Sequence, residues 1–108
     1  MKTIIAGGRD YEFTPDDCLN LHRLSITEVV SGGATGADRC AELFAETNGI
    51  PIKLFPADWT KHGRAAGPIR NEEMAKYAEA CVLFPGGKGT ADMAARAKKH
   101  NLKIYDYR

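Results

Sequence analysis

Three double-glycine loops each follow a short apolar run in this chain. Gly7-Gly8 follows Thr3 to Ala6, Gly32-Gly33 follows Glu28 to Val30, and Gly86-Gly87, with Gly89 close behind, follows Cys81 to Phe84. Glycine lets the backbone approach a ligand closely, and a helix after such a loop offers unpaired N–H groups and a partial positive charge to an anion. The third loop, Pro85-Gly86-Gly87-Lys88-Gly89-Thr90, has the order strand, loop, helix, and phosphate is the guest that fits it. Taken alone it also reads as a tight strand-to-helix turn. Two familiar phosphate motifs are excluded. In a Walker A motif Lys88 would be followed by Ser or Thr, not Gly89, and Val82 stands where its first glycine belongs. Gly7-Gly8-Arg9-Asp10 does not fit the dinucleotide fingerprint G-x-G-x-x-G.

Charged and aromatic residues cluster beside these loops. Arg9, Asp10 and Tyr11 follow the first strand: Arg9 can pair with phosphate and Tyr11 can stack, or Arg9 and Asp10 can pair with each other. In Ser31-Gly32-Gly33-Ala34-Thr35-Gly36-Ala37-Asp38 the backbone N–H groups and hydroxyls can meet a phosphate or a sugar. Asp38 there would repel phosphate but accept bonds from ribose hydroxyls, and Thr35 with Asp38 also matches a capping arrangement. Asp92 has the same two readings, a sugar hydroxyl or a pair with Arg96 one turn on. Arg70 falls in the first turn of an expected helix beginning at Gly67-Pro68, where a cation meets the positive end of the dipole, so a compensating anion is expected. Asn71 can read a base or phosphate edge, or cap locally. Trp59, the one tryptophan, can stack on a base or anchor its loop. Lys61, His62 and Arg64 read as solvated charges on that loop.

The elements that must position these residues follow from periodicity and punctuation. Thr14-Pro15-Asp16-Asp17 starts a helix that runs through Leu24, with a cap, a proline at the first helical position and early acids. Ala37, Cys40, Ala41, Phe44 and Ala45 form a helical stripe between Gly36 and Asn48, and Gly49 reads as its left-handed cap. Ile52 to Phe55 is the third strand, and Pro56 to Ala66 a long connection. Helices near Gly67 to Ala80 and Thr90 to His100 flank the strand Cys81 to Phe84, and Lys103 to Tyr105 is the last strand. Strands and helices alternate throughout, which predicts an α/β fold: a three-layer, Rossmann-like doubly wound sheet of about five parallel strands in the order 3-2-1-4-5. The first and fourth strands then meet at the switch point, where ligands bind beyond their carboxyl ends.

At 108 residues the chain reads as one domain, 1–108. Its 44% hydrophobic and 27% charged content is that of a globular protein, and a net charge of +1 argues against a nucleic-acid partner. No run approaches the roughly 20 apolar residues of a membrane span. Cys18, Cys40 and Cys81 are well separated, odd in number and set in apolar patterns, which reads as free thiols in a reducing cytoplasm. His22, His62 and His100 lack metal-ligand spacing, so neither a metal nor another cofactor is expected.

With AGGRDY, SGGATGAD, LFPADW, AGPIRNEEM and FPGGKGTADM in this order from Ala6 to about Ala97, the chain resembles the YspA-like members of the SLOG superfamily. That superfamily is related to the Lonely Guy phosphoribohydrolases and to the Rossmann-like domain of DprA. The resemblance implies a domain that binds a nucleotide or ADP-ribose-like ligand at the glycine loops, as a sensor or sequestering module. It also implies dimerisation through helices. Gly86, Gly87, Gly89 and Thr90 match the hydrolases' PGGxGT loop, and Arg70 is similar to the arginine before their catalytic segment. The alternative implied is a nucleoside 5'-monophosphate phosphoribohydrolase in which Arg70 fixes phosphate while Asp92, or an acid such as Glu73, stabilises the developing charge. The hydrolases' glutamate falls on Met93, which tilts the reading toward binding.

Overall fold

The computed structural model describes residues 1–32 and 37–108. Five strands, β1 (Lys2–Ala6), β2 (Glu28–Ser31), β3 (Ile52–Leu54), β4 (Ala80–Leu83) and β5 (Lys103–Asp106), form one sheet in the order β3-β2-β1-β4-β5, as predicted. Every neighbouring pair is parallel; Ile4 lies beside Val30 on one side and Cys81 on the other. The helices are α1 (Pro15–His22), α2 (Ala37–Thr47), α3 (Trp59–His62), α4 (Ala66–Tyr77) and α5 (Lys88–Lys99).

Strand alternation divides the apolar residues between two layers. Ile4, Ala6, Cys81 and Leu83 face α4 and α5, where Met74, Ala75, Met93 and Ala97 meet them. Ile5, Val82 and Phe84 face α1 and α2, against Leu21, Ala41, Phe44 and Ala45. The central strands are buried on both faces, which is why they read as continuous apolar runs rather than alternating ones. The Cys81 thiol is buried with them, and burial pushes it up to about 12.

The helix signals mostly act where expected. The Asp17 N–H donates to Thr14 Oγ1 at 3.1 Å and the Thr14 N–H to Asp17 Oδ2 at 2.9 Å, a capping box with Pro15 at the first helical position. Gly49 has φ +64°. The long connection differs from expectation, because it holds α3, capped by Asp58, and one 3-10 turn, Gly63–Ala65. Gly63 joins the two at φ 56°, ψ −131°, a backbone shape that side chains oppose. The 3-10 turn feeds into α4, so α4 begins at Ala66 and Pro68 sits within its first turn, where a missing N–H costs no helical bond. Among the described residues no helix is long and apolar enough to cross a membrane.

Candidate functional site

Because the winding reverses between β1 and β4, the loops beyond their carboxyl ends part and leave a cleft of about 680 Å³. The end of β1 and its loop enter as Ile5, Ala6, Gly7, Gly8 and Arg9; α4 supplies Gly67, Pro68, Arg70, Asn71 and Met74; Gly87 and α5 supply the next wall, with Lys88 through Thr90, Asp92 and Met93; Asp38 and Trp59 complete the lining. The structure thus brings together Gly7, Gly8, Arg9, Asp38, Trp59, Arg70, Asn71, Gly87, Lys88, Gly89, Thr90 and Asp92 from the expected set. Gly33, Ala34, Thr35 and Gly36 lie outside the described residues. Asp10, Gly32, Pro85 and Gly86 do not line the cleft.

Tyr11 turns away from it. Its hydroxyl donates to Asp17 Oδ2 at 2.6 Å, and its ring stacks on Phe84 with centroids 5.4 Å apart. That hydrogen bond, and then burial, push its phenol up to about 12.

The two walls join by close backbone approach. The Gly8 N–H donates to the Pro85 carbonyl at 2.8 Å, and a Cβ on Gly86 would lie 2.7 Å from the Gly8 nitrogen. Gly86 is therefore a packing glycine. Gly87 and Gly89 are different: a Cβ at either meets nothing within 4 Å, and neither has a positive φ. Packing within the protein itself does not ask for glycine at either position. Between and after them α5 begins with no side-chain cap, no acid in its first turn and Lys88 as its first residue. Its opening N–H groups and dipole are left to face the cleft.

A polar network backs the α4 and α5 side. Arg70, expected in a first turn, is the fifth residue of α4, because the helix starts one residue before Gly67. Its guanidinium is held within the protein: Nη1 donates to the Gly32 carbonyl at 2.9 Å and Nε to Asn71 Oδ1 at 3.1 Å. Asn71, buried, donates through Nδ2 to Asp92 Oδ2 at 2.9 Å and reaches the Gly89 carbonyl at 3.5 Å. Arg96 Nε donates to the same Asp92 oxygen at 2.9 Å, so the i, i+4 pair legible in the sequence is present. Asp92 Oδ1 has no such partner among the described residues.

Arg96 extends the network outward to Glu72, which Lys99 and His100 also contact. These residues were not marked by local spacing, since Glu72 and His100 are 28 positions apart. Hydrogen bonding with His100, and then with Arg96, holds the Glu72 carboxyl at about 2, below its ordinary 4.5. A depressed folded value means that the network stabilises the protein above about pH 4.5 and loses that contribution as pH falls toward 2. Glu72→Gln should flatten this part of a plot of Tm against pH; an unchanged slope would show that the network contributes nothing. Among the described residues no group of His, Cys, Asp and Glu converges on a metal position.

A family described as "YspA, cpYpsA-related SLOG family" matches this chain over residues 16–62. The chain is also 37% identical over 87 residues to the Gene 61 protein of Mycobacterium phage D29, covering 73% of this chain and 70% of the phage protein. The chain belongs to the YspA, cpYpsA-related SLOG family. No solved structure matches it. The SLOG match runs from α1 to the end of α3, so it includes Asp38 and Trp59 but stops before Arg70 and the α5 loop. Membership in this SLOG family points to a nucleotide-related role.

Proposed function

We propose that this protein binds a nucleotide or an ADP-ribose-like ligand in the β1–β4 cleft, as a sensor or sequestering module. The observation that carries the reading is the uncapped start of α5, flanked by Gly87 and Gly89 whose missing side chains leave the cleft open. A phosphate seated there accepts from the first N–H groups of α5. Arg9 and Lys88 line the cleft without a partner among the described residues and supply the compensating charge. Arg70 is already held by Gly32 and Asn71, so it acts chiefly by fixing the wall. Asp92, held on one oxygen only, presents the other to a ribose hydroxyl. Asp38 is a second acidic contact for the sugar.

A second reading is favoured by that same free Asp92 oxygen: a carboxylate beside a bound ribose can stabilise the charge that develops as an N-glycosidic bond breaks. Chromatography of nucleoside monophosphates incubated with the pure protein separates the two. Binding predicts intact nucleotide; steady release of free base that Asp92→Asn abolishes would establish the hydrolase instead.

The binding site itself is tested by Gly89→Ala. Alanine is better than glycine inside a helix by about 0.5–1 kcal/mol, so the variant should melt at or above the wild-type temperature. Its methyl group enters the ligand's space, and affinity for nucleotides, read as a ligand-induced rise in Tm, should fall by at least about 10-fold. A variant that binds as well as wild type would remove phosphate from this loop.

A further inference from the structure

One stretch of the cleft wall is built around Trp59. A tryptophan gains most by burial, yet this one is 57% exposed. It is not there for want of order: α3 holds it, with the Lys61 N–H donating to Asp58 Oδ1 at 3.0 Å. Its ring edge rests on the first turn of α4, where a Cβ on Gly67 would lie 3.5 Å from Trp59 Cη2 and meet nothing else within 4 Å. The indole thus forms part of the cleft wall while remaining open to solvent.

Resting on the nucleotide reading above, we infer that the base of the ligand stacks on Trp59 and is held by its face alone, so that the site accepts purine nucleotides without separating adenine from guanine. On α4 the indole rests against Gly67, and Pro68 and Met74 line the same cleft; none of the three carries a side-chain hydrogen-bonding group suited to reading a base edge. The donor side chains that α4 brings to the cleft are already engaged, Arg70 by Gly32 and Asn71, and Asn71 by Asp92. Stacking is tolerant of base identity because every base has a π-face. A pocket that does not hydrogen-bond a substituent discriminates weakly for or against it. Specificity then resides in the sugar and phosphate, at Asp92 and the α5 loop, and the larger purine face is preferred over a pyrimidine.

Trp59 is the one tryptophan in the chain, so its fluorescence reports the contact directly. The full chain is titrated with AMP, GMP, CMP, ribose 5-phosphate and a short single-stranded oligonucleotide lacking a terminal phosphate, following both fluorescence and Tm. AMP and GMP should change the fluorescence with affinities within about 3-fold of each other, and CMP should bind more weakly. Ribose 5-phosphate should raise Tm with little change in fluorescence. Trp59→Ala, at an exposed position, should weaken AMP about 10-fold, or about 1.4 kcal/mol, and leave ribose 5-phosphate unaltered, while Trp59→Phe keeps most of the affinity. Wild-type AMP binding by Trp59→Ala, or a preference beyond about 30-fold between AMP and GMP, overturns the stacking inference and leaves the phosphate site standing. An oligonucleotide that binds as tightly as AMP overturns the assignment to free nucleotides. No rise in Tm with any phosphorylated ligand removes the nucleotide reading, and this inference with it.

Discussion

Replacing Met93 by glutamate, the residue of the Lonely Guy hydrolases at this position, is expected to cost about 3–5 kcal/mol and to confer no hydrolysis of nucleoside monophosphates. Met93 touches the cleft but is only 2% exposed, packed in the layer that holds Ile4, Leu83, Met74 and Ala97. The described residues packed in that layer are apolar and include no cation, and Arg96, one turn along α5 from Asp92, is already committed to Asp92 and Glu72. Burial without a partner disfavours the charged form, so the folded-state value of the new acid rises above its unfolded value of about 4.3. The penalty therefore grows as pH rises above that unfolded value and shrinks as pH falls toward it. Urea unfolding at pH 7 and near pH 4.5 checks both parts, since the gap from wild type should be large at the first and smaller at the second. A Met93→Glu protein as stable as wild type at pH 7 would mean that the side chain escapes into the cleft, and hydrolysis would then have to be tested afresh.

Asn71→Ala should lower stability by about 2 kcal/mol and Tm by roughly 10 °C, and weaken nucleotide binding at the same time. One buried amide accepts from Arg70 and donates to Asp92, so it ties together the parts of α4 and α5 that form one wall. Without it Arg70 Nε loses its acceptor and Asp92 keeps only Arg96. The adjacent cleft admits water to replace part of the loss, which holds the cost below that of a fully buried orphan. Leu at this position tests the same point with the volume kept. If Asn71→Ala and Asn71→Leu both melt as wild type does, the network is ornament; if they melt lower yet bind nucleotide unchanged, Asn71 holds the fold and not the site.

Gly89→Ala and Asn71→Ala thus act oppositely on stability while both reduce affinity. The contrast separates a glycine kept open for a guest from an amide kept for the walls. Trp59→Ala is a third case, expected to touch neither stability nor phosphate binding.

What the chain's order of residues determined by itself was the frame: alternating apolar runs and helical stripes specify five parallel strands, and right-handed connections leave few ways to arrange them. Local chemistry was equally legible, as in the Thr14–Asp17 capping box, the left-handed Gly49 and the Asp92–Arg96 pair, because each involves neighbours within about one helical turn. Partners distant in sequence were not. Gly7-Gly8 and Gly86-Gly87 look alike as dipeptides, yet Gly8 and Gly86 pack against each other while Gly87 stands open, a difference that exists only once β1 and β4 are adjacent. Arg70 reads as a free cation at a helix start, but the 3-10 turn before α4 moves the start and the carbonyl of Gly32, 38 residues away, takes its guanidinium. Tyr11 reads as a stacking residue and does stack, on Phe84 rather than toward the cleft. Spacing reports which residues share a strand or a helix face; only the packed sheet decides which way a loop residue turns and which of its bonds the protein has already used.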